Sequence, residues 1–259
     1  MLRNRTRHLA LCLFALIALG ASSAAADEVH VAVAANFLGT LQKLAEPFRT
    51  ATGHLLVISP GATGQLYAQI AHGAPFDVLL SADSAHAIKL EEAGLGVRGT
   101  RFTYALGKLV LWSPKAGVVQ AGGKLLLNPA LHFVAIADPA TAPYGSAAEK
   151  TLTALGWLPQ LKAAGKIAIG ESVGQAHQFA ASGNADCAFV ALSQILGPDG
   201  KPTGSSWIVP TSLSGLIDQD AILVSASSHK DAANAFLVWL HKDSKALAAI
   251  RAAGYGLPN

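Results

Sequence analysis

Apolar residues along the chain fall into two alternating patterns. Compact runs occur at 29–33, 55–58, 78–80, 109–112, 133–137, 187–192 and 221–225, and short apolar runs of this kind read as buried strands. Between many of them the spacing changes to that of a helix. Leu38, Leu41, Leu44 and Phe48 recur at intervals of 3, 3 and 4 residues, on one helical face. Leu152, Leu155 and Leu158 suggest a second such face, and 235–240 and 247–250 read as closing helices. The segment 196–206, with Gly197, Pro198, Gly200, Pro202 and Gly204, is expected to be a loop. Strands that alternate with helices predict an α/β fold with mixed, mostly parallel sheets flanked by helices.

The start of the chain follows a different logic. Arg3, Arg5 and Arg7 precede an apolar run over 9–19, and Ala24-Ala25-Ala26 before Asp27 fits an A-x-A cleavage site. That order predicts a secretory signal peptide over 1–26 and a periplasmic mature protein. The apolar run is short for a membrane span, which needs about 20 residues. Cys12 sits inside the run, away from the small-residue boundary where a lipid-bearing cysteine would lie.

Removing 1–26 changes the charge. The full chain has 19 basic and 16 acidic residues, and the segment carries three of the arginines and no acid, so the remainder balances at 16 against 16. The basicity belongs to the export signal and points to no nucleic acid or membrane surface as partner. A neutral protein that takes an anion must do so with local donors. Only Cys187 is left, so no intrachain disulfide is expected, and its apolar neighbours predict a buried thiol.

Four times an extended segment leads through a short polar or glycine turn into a helix. Ala34-Ala35-Asn36 precedes the helix from Leu38, with Asn36 as its expected N-cap. Gly61-Ala62-Thr63-Gly64 precedes 65–71, with Thr63 as the cap; Ala142-Pro143-Tyr144-Gly145 precedes 146–155; Glu171-Ser172-Val173-Gly174 precedes 175–181. The first turn of a helix leaves backbone N–H groups without partners, and these suit either a capping side chain or an anion. One such turn is ordinarily a cap. Four would make a site only if they converge, which periodicity does not show.

Competing chemistry is thin. No nucleophile elbow, Walker loop or H-E-x-x-H occurs, and the nine histidines are scattered without metal-ligand spacing. Neither a cofactor nor a metal-ion ligand set is expected. Asp83 and Asp138 each follow a strand and read as turn caps, with a secreted enzyme using one of them as an acid kept as an alternative.

At these turns the chain resembles a known family. The stretches are Val31-Ala32-Val33-Ala34-Ala35-Asn36-Phe37, then Gly73-Ala74-Pro75-Phe76-Asp77-Val78-Leu79-Leu80-Ser81-Ala82-Asp83, then Ala137-Asp138-Pro139 with Pro143-Tyr144-Gly145, and Gly183-Asn184-Ala185-Asp186-Cys187-Ala188-Phe189-Val190. They resemble the periplasmic molybdate-binding proteins of ABC importers, within the type II solute-binding fold. The resemblance implies two α/β lobes joined by two crossing segments as a hinge, with lobe one at 27–107 and 221–259 and lobe two at 108–220. It implies that Asn36 and Thr63 from lobe one, and Tyr144 and Val173 through backbone N–H from lobe two, hold molybdate or tungstate. It further implies a monomer that delivers its ligand to an ABC permease in the inner membrane, with no enzyme activity. Two positions depart from many relatives, which have serine where this chain has Asn36 and a ligand tyrosine where it has Ala191. A variant subgroup, with asparagine at the first position and tyrosine in the third turn, is the nearer likeness.

An all-donor site selects by protonation. A fully deprotonated dianion accepts from every direction, whereas the O–H of a protonated phosphate would be left unmatched, at about 1–3 kcal/mol. Molybdate, tungstate and sulfate all meet that condition, and only size separates sulfate. The alternatives are therefore a sulfate binder, a ferric-ion binder, a secreted enzyme, or a sensor without transport. Ferric sites of this fold usually need paired tyrosines, and Tyr67, Tyr104, Tyr144 and Tyr255 are not adjacent.

Overall fold

The computed structural model describes residues 27–258; the expected signal peptide, with Cys12, lies outside the described residues. The elements run in the order β1 (Glu28–Ala34), α1 (Leu38–Thr52), β2 (Leu55–Gly61), α2 (Thr63–Ala71), β3 (Val78–Leu80), α3 (Ser84–Glu92), β4 (Phe102–Leu106) and β5 (Leu109–Ser113). After a 3-10 segment at Ala121–Leu127 come β6 (Val134–Ala137), α4 (Pro143–Ala154), α5 (Leu158–Ala163), β7 (Ile167–Gly170), α6 (Val173–Ala181) and β8 (Cys187–Ala191). A 3-10 turn at Leu192–Gln194 leads to β9 (Ser205–Ile208), α7 (Thr211–Ser214), β10 (Asp218–Leu223), α8 (Lys230–Lys242) and α9 (Ser244–Ala252).

The strands form two five-stranded sheets, ordered β2-β1-β3-β10-β4 and β7-β6-β8-β5-β9. The two orders are the same topology written twice, with β6, β7 and β8 in the places of β1, β2 and β3. Parallel pairing joins β1 to β2 and β3, and β6 to β7 and β8. The pairs made by β10 and β5 are antiparallel. The sheets are thus mixed, and the antiparallel share comes from strands that adjoin the crossings between them. Those crossings are residues 107–108 and 209–217, and Gly107 N–H donates to the Ile217 carbonyl at 2.8 Å, so the two strands of the hinge are tied side by side.

Apolar periodicity explains the packing. On α1, Leu41, Leu44 and Phe48 are at most 1% exposed, and each large apolar side chain so buried contributes about 1.5–3 kcal/mol. They meet Phe236 and Trp239 of α8, with Phe48 edge-on to Phe236 at 5.2 Å. The single long face read from Leu152, Leu155 and Leu158 is a misreading: Gly156 (φ 71°) ends α4 in a left-handed turn, and Leu158 opens α5. Three strands, β4, β7 and β9, escape the apolar-run criterion, and all three are only partly buried. The run at 221–225 belongs to a strand that starts earlier, at Asp218. Its polar residues are absorbed by partners, since buried Asp220 accepts from Arg101 Nη1 at 2.7 Å and Thr103 Oγ1 at 2.8 Å.

Cys187 is fully buried at the start of β8. Burial, with a smaller contribution from Asp186, pushes its thiol up to about 12. Thiolate is the reactive form, so at about pH 8 native protein should not react with an aromatic disulfide reagent. Release of one thiol from residues 27–259 only on denaturation is the expected result of a colorimetric assay.

Candidate functional site

The carboxyl ends of the central strands set the site. The last paired residues of β1 and β2 are Ala34 and Gly61, and those of β6 and β7 are Ala137 and Gly170. Each of these four strand ends leads into a helix start within a few residues. Asn36 follows β1, Thr63 follows β2, Tyr144 follows β6 and Val173 follows β7. The repeated strand order therefore places two helix starts of one sheet opposite the two equivalent ones of the other. Open α/β sheets bind ligands at this end of the strands.

Asn36, Thr63, Tyr144 and Val173 line one small enclosed chamber, together with alanines such as Ala35, Ala62 and Ala142 and with Pro143. The space for the centre of a water-sized sphere is only about 10 Å³, which admits a compact occupant and excludes a sugar or peptide. No acidic or basic side chain is in the lining. Among the described residues, none of the backbone N–H groups of Asn36, Thr63, Tyr144 and Val173 donates to a protein acceptor. Four donors are thus left open in one buried space, three of them in the first turns of α2, α4 and α6. The positive ends of those helix dipoles add to the attraction for negative charge.

Two capping expectations are corrected. Asn36 is not the N-cap of α1; Phe37 holds that position with no side-chain cap. The Asn36 amide turns inward instead, and Nδ2 donates to Gln219 Oε1 at 2.8 Å and Tyr255 Oη at 3.1 Å. Thr63 is the first residue of α2, with Ala62 before it as cap. Its hydroxyl accepts from Ala82 N–H at 3.0 Å, which leaves its own proton to donate. The third and fourth helices begin earlier than expected, at Pro143 and Val173, with Ser172 capping the fourth through Gln175 N–H. Ala191 is buried in β8 and is not in the lining.

Contacts between the two sheets hold the chamber shut. Gly64 N–H of α2 donates to the Thr141 carbonyl at 2.8 Å. Ser193 Oγ donates to the Asn36 carbonyl at 3.0 Å, and Tyr255 Oη lies 2.8 Å from Ser193 Oγ. Sequence reading missed Ser193, Gln219 and Tyr255. A glutamine between two aspartates at the head of an apolar strand was the one visible signal, and Ser193 carried none.

Three of the four tyrosines that are separate in sequence do meet in space. Tyr104 Oη lies 3.2 Å from Gln219 Oε1 and Tyr144 Oη 3.5 Å from its Nε2, while Tyr255 Oη accepts at 3.1 Å from Asn36 Nδ2, which also donates to Gln219. Burial raises the hydroxyl pKa of all three above the ordinary tyrosine value. Tyr144 thus directs its hydroxyl to the crossings, where a Cβ on Gly107 would come within 2.3 Å of it. Asp83 and Asp138 serve as caps. Asp83 accepts from His86 N–H at 2.9 Å and pairs with the His86 ring at 2.8 Å, and Asp138 accepts from Ala140 N–H at 2.9 Å. Burial alone would raise the Asp83 carboxyl, but the hydrogen bonds and charge of His86 outweigh it and hold the carboxyl below its usual value.

Two sheets with crossed connections, closed on a buried donor-lined chamber, are the architecture of a type II periplasmic binding protein. Residues 29–256 match the family described as bacterial extracellular solute-binding protein. The chain belongs to that family. It is 48% identical over 247 residues to the molybdate-binding protein ModA of Azotobacter vinelandii, covering 93% of this chain and 96% of that one. It is 46% identical over 232 residues to the molybdate-binding protein ModA of Rhodobacter capsulatus, covering 90% and 89%. The solved periplasmic molybdate-binding protein of Azotobacter vinelandii superposes with a TM-score of 0.87 at 46% identity, over 89% of this chain and all of that one.

Gly145 fixes the third helix start. A Cβ there would lie 2.3 Å from the Ala137 carbonyl oxygen and 2.7 Å from its carbon, so α4 must shift in Gly145→Ala. Overpacking of this kind costs about 1–3 kcal/mol. Urea unfolding should show a lower midpoint with an unchanged slope, since the exposed area on unfolding is the same.

Proposed function

We propose that this protein captures molybdate, or its close analogue tungstate, between two lobes and delivers it to an ABC permease in the inner membrane. The observation that carries the reading is the set of four open N–H groups in a chamber lined by neither carboxylate nor cation. A fully deprotonated tetraoxo dianion takes such donors on every side. With Asn36 presenting its amide nitrogen to the ligand, a hydrogen phosphate would bury an O–H with no acceptor. The molybdate-binding relatives at 46–48% identity supply the choice of anion. In this reading Asn36 and Thr63 donate from side chain and backbone, and Tyr144 and Val173 from backbone alone.

The two units that move on binding are 27–107 with 221–259, and 108–220, hinged at the paired crossings, except that Asp218–Asp220 of β10 pair within the first sheet and move with the first unit. Ligand favours the closed form because only closure brings both pairs of donors to one anion. The protein acts as a monomer and without turnover. Export removes 1–26, so N-terminal sequencing of periplasmic material should begin at Asp27, and a retained Met1 would contradict that.

Calorimetric titration tests the ligand. Molybdate should bind at one per chain and phosphate should not; comparable binding of both would remove the all-donor argument, and sulfate as the tightest ligand would reassign the anion. Thr63→Ala removes a hydrogen bond to a charged group, about 1.5–3 kcal/mol, and should weaken molybdate binding by roughly ten- to a hundredfold. Val173→Ala keeps the N–H and should cost far less, whereas Val173→Pro removes the donor and should be severe. Circular dichroism checks that each variant is folded.

A further inference from the structure

Behind the chamber lies a polar cluster whose arrangement is at odds with an anion in front of it. Gln219 is fully buried on β10, and its Oε1 accepts from Asn36 Nδ2 at 2.8 Å and lies 3.2 Å from Tyr104 Oη. Its Nε2 reaches Tyr144 Oη at 3.5 Å. With both hydrogens of Asn36 Nδ2 directed at Gln219 and Tyr255, one buried side-chain atom among the described residues has no hydrogen-bond partner, and it is Asn36 Oδ1. Asn36 lines the chamber at 3% exposure. The atom its amide has to spare is therefore an acceptor, which offers nothing to a deprotonated oxyanion.

The oxygen and nitrogen of an amide are nearly isosteric, so a half-turn exchanges donor and acceptor with little movement of heavy atoms. Asn36 has no such freedom alone, because its oxygen would then face Gln219 Oε1. Turning both amides resolves the cluster. Gln219 Nε2 then donates to Asn36 Oδ1 and to Tyr104 Oη, whose own proton goes to the Ser81 carbonyl 3.2 Å away. Tyr255 donates to Asn36 Oδ1, Tyr144 donates to Gln219 Oε1, and Ser193 keeps the Asn36 carbonyl. Every group has a partner, and the spare atom becomes Asn36 Nδ2, a donor.

We propose that Gln219 is a positioning residue that sets whether Asn36 shows a donor or an acceptor to the chamber, and that a deprotonated oxyanion draws the two amides over together. The proposal rests on the oxyanion reading above. Because Gln219 also touches Tyr144, the same turn reverses a hydrogen bond between the two lobes, in a gap that Gly107 keeps open: a Cβ there would lie 2.8 Å from Gln219 Nε2.

The test begins with molybdate titration of the unmutated protein; no binding there contradicts the oxyanion reading and this proposal with it. In Gln219→Glu an ionised carboxylate accepts only, which locks the acceptor of Asn36 onto the chamber. Affinity should fall roughly ten- to a hundredfold at about pH 9. It should recover toward about pH 6, as the buried carboxyl takes up a proton and becomes a donor. Gln219→Met should show a smaller loss that does not vary with pH. Parent-like binding by Gln219→Glu, or an equal and pH-independent loss in both variants, would overturn the proposal. Side-chain amide NMR of the unmutated protein decides the matter if a variant does not fold. The Asn36 and Gln219 NH₂ resonances should shift together on saturation with molybdate, and a shift of Asn36 alone would overturn the coupling.

Discussion

A buried N–H without an acceptor is costly, and this fold gathers four of them. The first turn of any helix leaves such groups open, and most proteins satisfy them with a capping side chain or with water. Here Asn36 and Thr63, the two side chains suited to capping at their helices, are drawn to other partners. The donors at Asn36, Thr63, Tyr144 and Val173 remain open in a closed chamber. Much of the surrounding structure can be understood as what holds that unmet demand in place until a ligand meets it.

The holding is done by topology and by small residues. A strand order used twice brings the ends of β1 and β2 opposite those of β6 and β7. Alanine and glycine at the strand ends and in the first helical turns let these elements approach closely, as the clash of a Cβ on Gly145 with the Ala137 carbonyl makes plain. Closure then depends on a few polar contacts between the sheets, such as Gly64 with Thr141 and Ser193 with Asn36. Each is worth about 0.5–1.5 kcal/mol net, small enough for an opening and closing equilibrium to follow the ligand. In the proposed site dipoles, not fixed cations, would supply the attraction, which agrees with the balance of charge in the chain after residue 26.

Much of this was legible in the sequence, for physical reasons that can be named. Fully buried strands such as β3 and β8 declare themselves as apolar runs, and glycine-bearing turns before helices mark open N–H groups. What periodicity hides is anything that depends on meeting in space. Tyr104 and Tyr144 lie far apart in the chain yet share Gln219, and Tyr255 joins them through Asn36. Asn36 looked like a cap because asparagine favours that position, but a buried glutamine and tyrosine compete for its amide and win. Leu152 and Leu158 share helical spacing, but a left-handed glycine between them breaks the helix.

The central claim is that one anion satisfies all four open donors at once. Backbone amide NMR during a molybdate titration tests it most directly, because an N–H that gains a charged acceptor moves downfield. The Asn36, Thr63, Tyr144 and Val173 amides should shift together and saturate at one equivalent. A shift confined to the pair from one lobe, with the other pair unmoved at saturation, would contradict it.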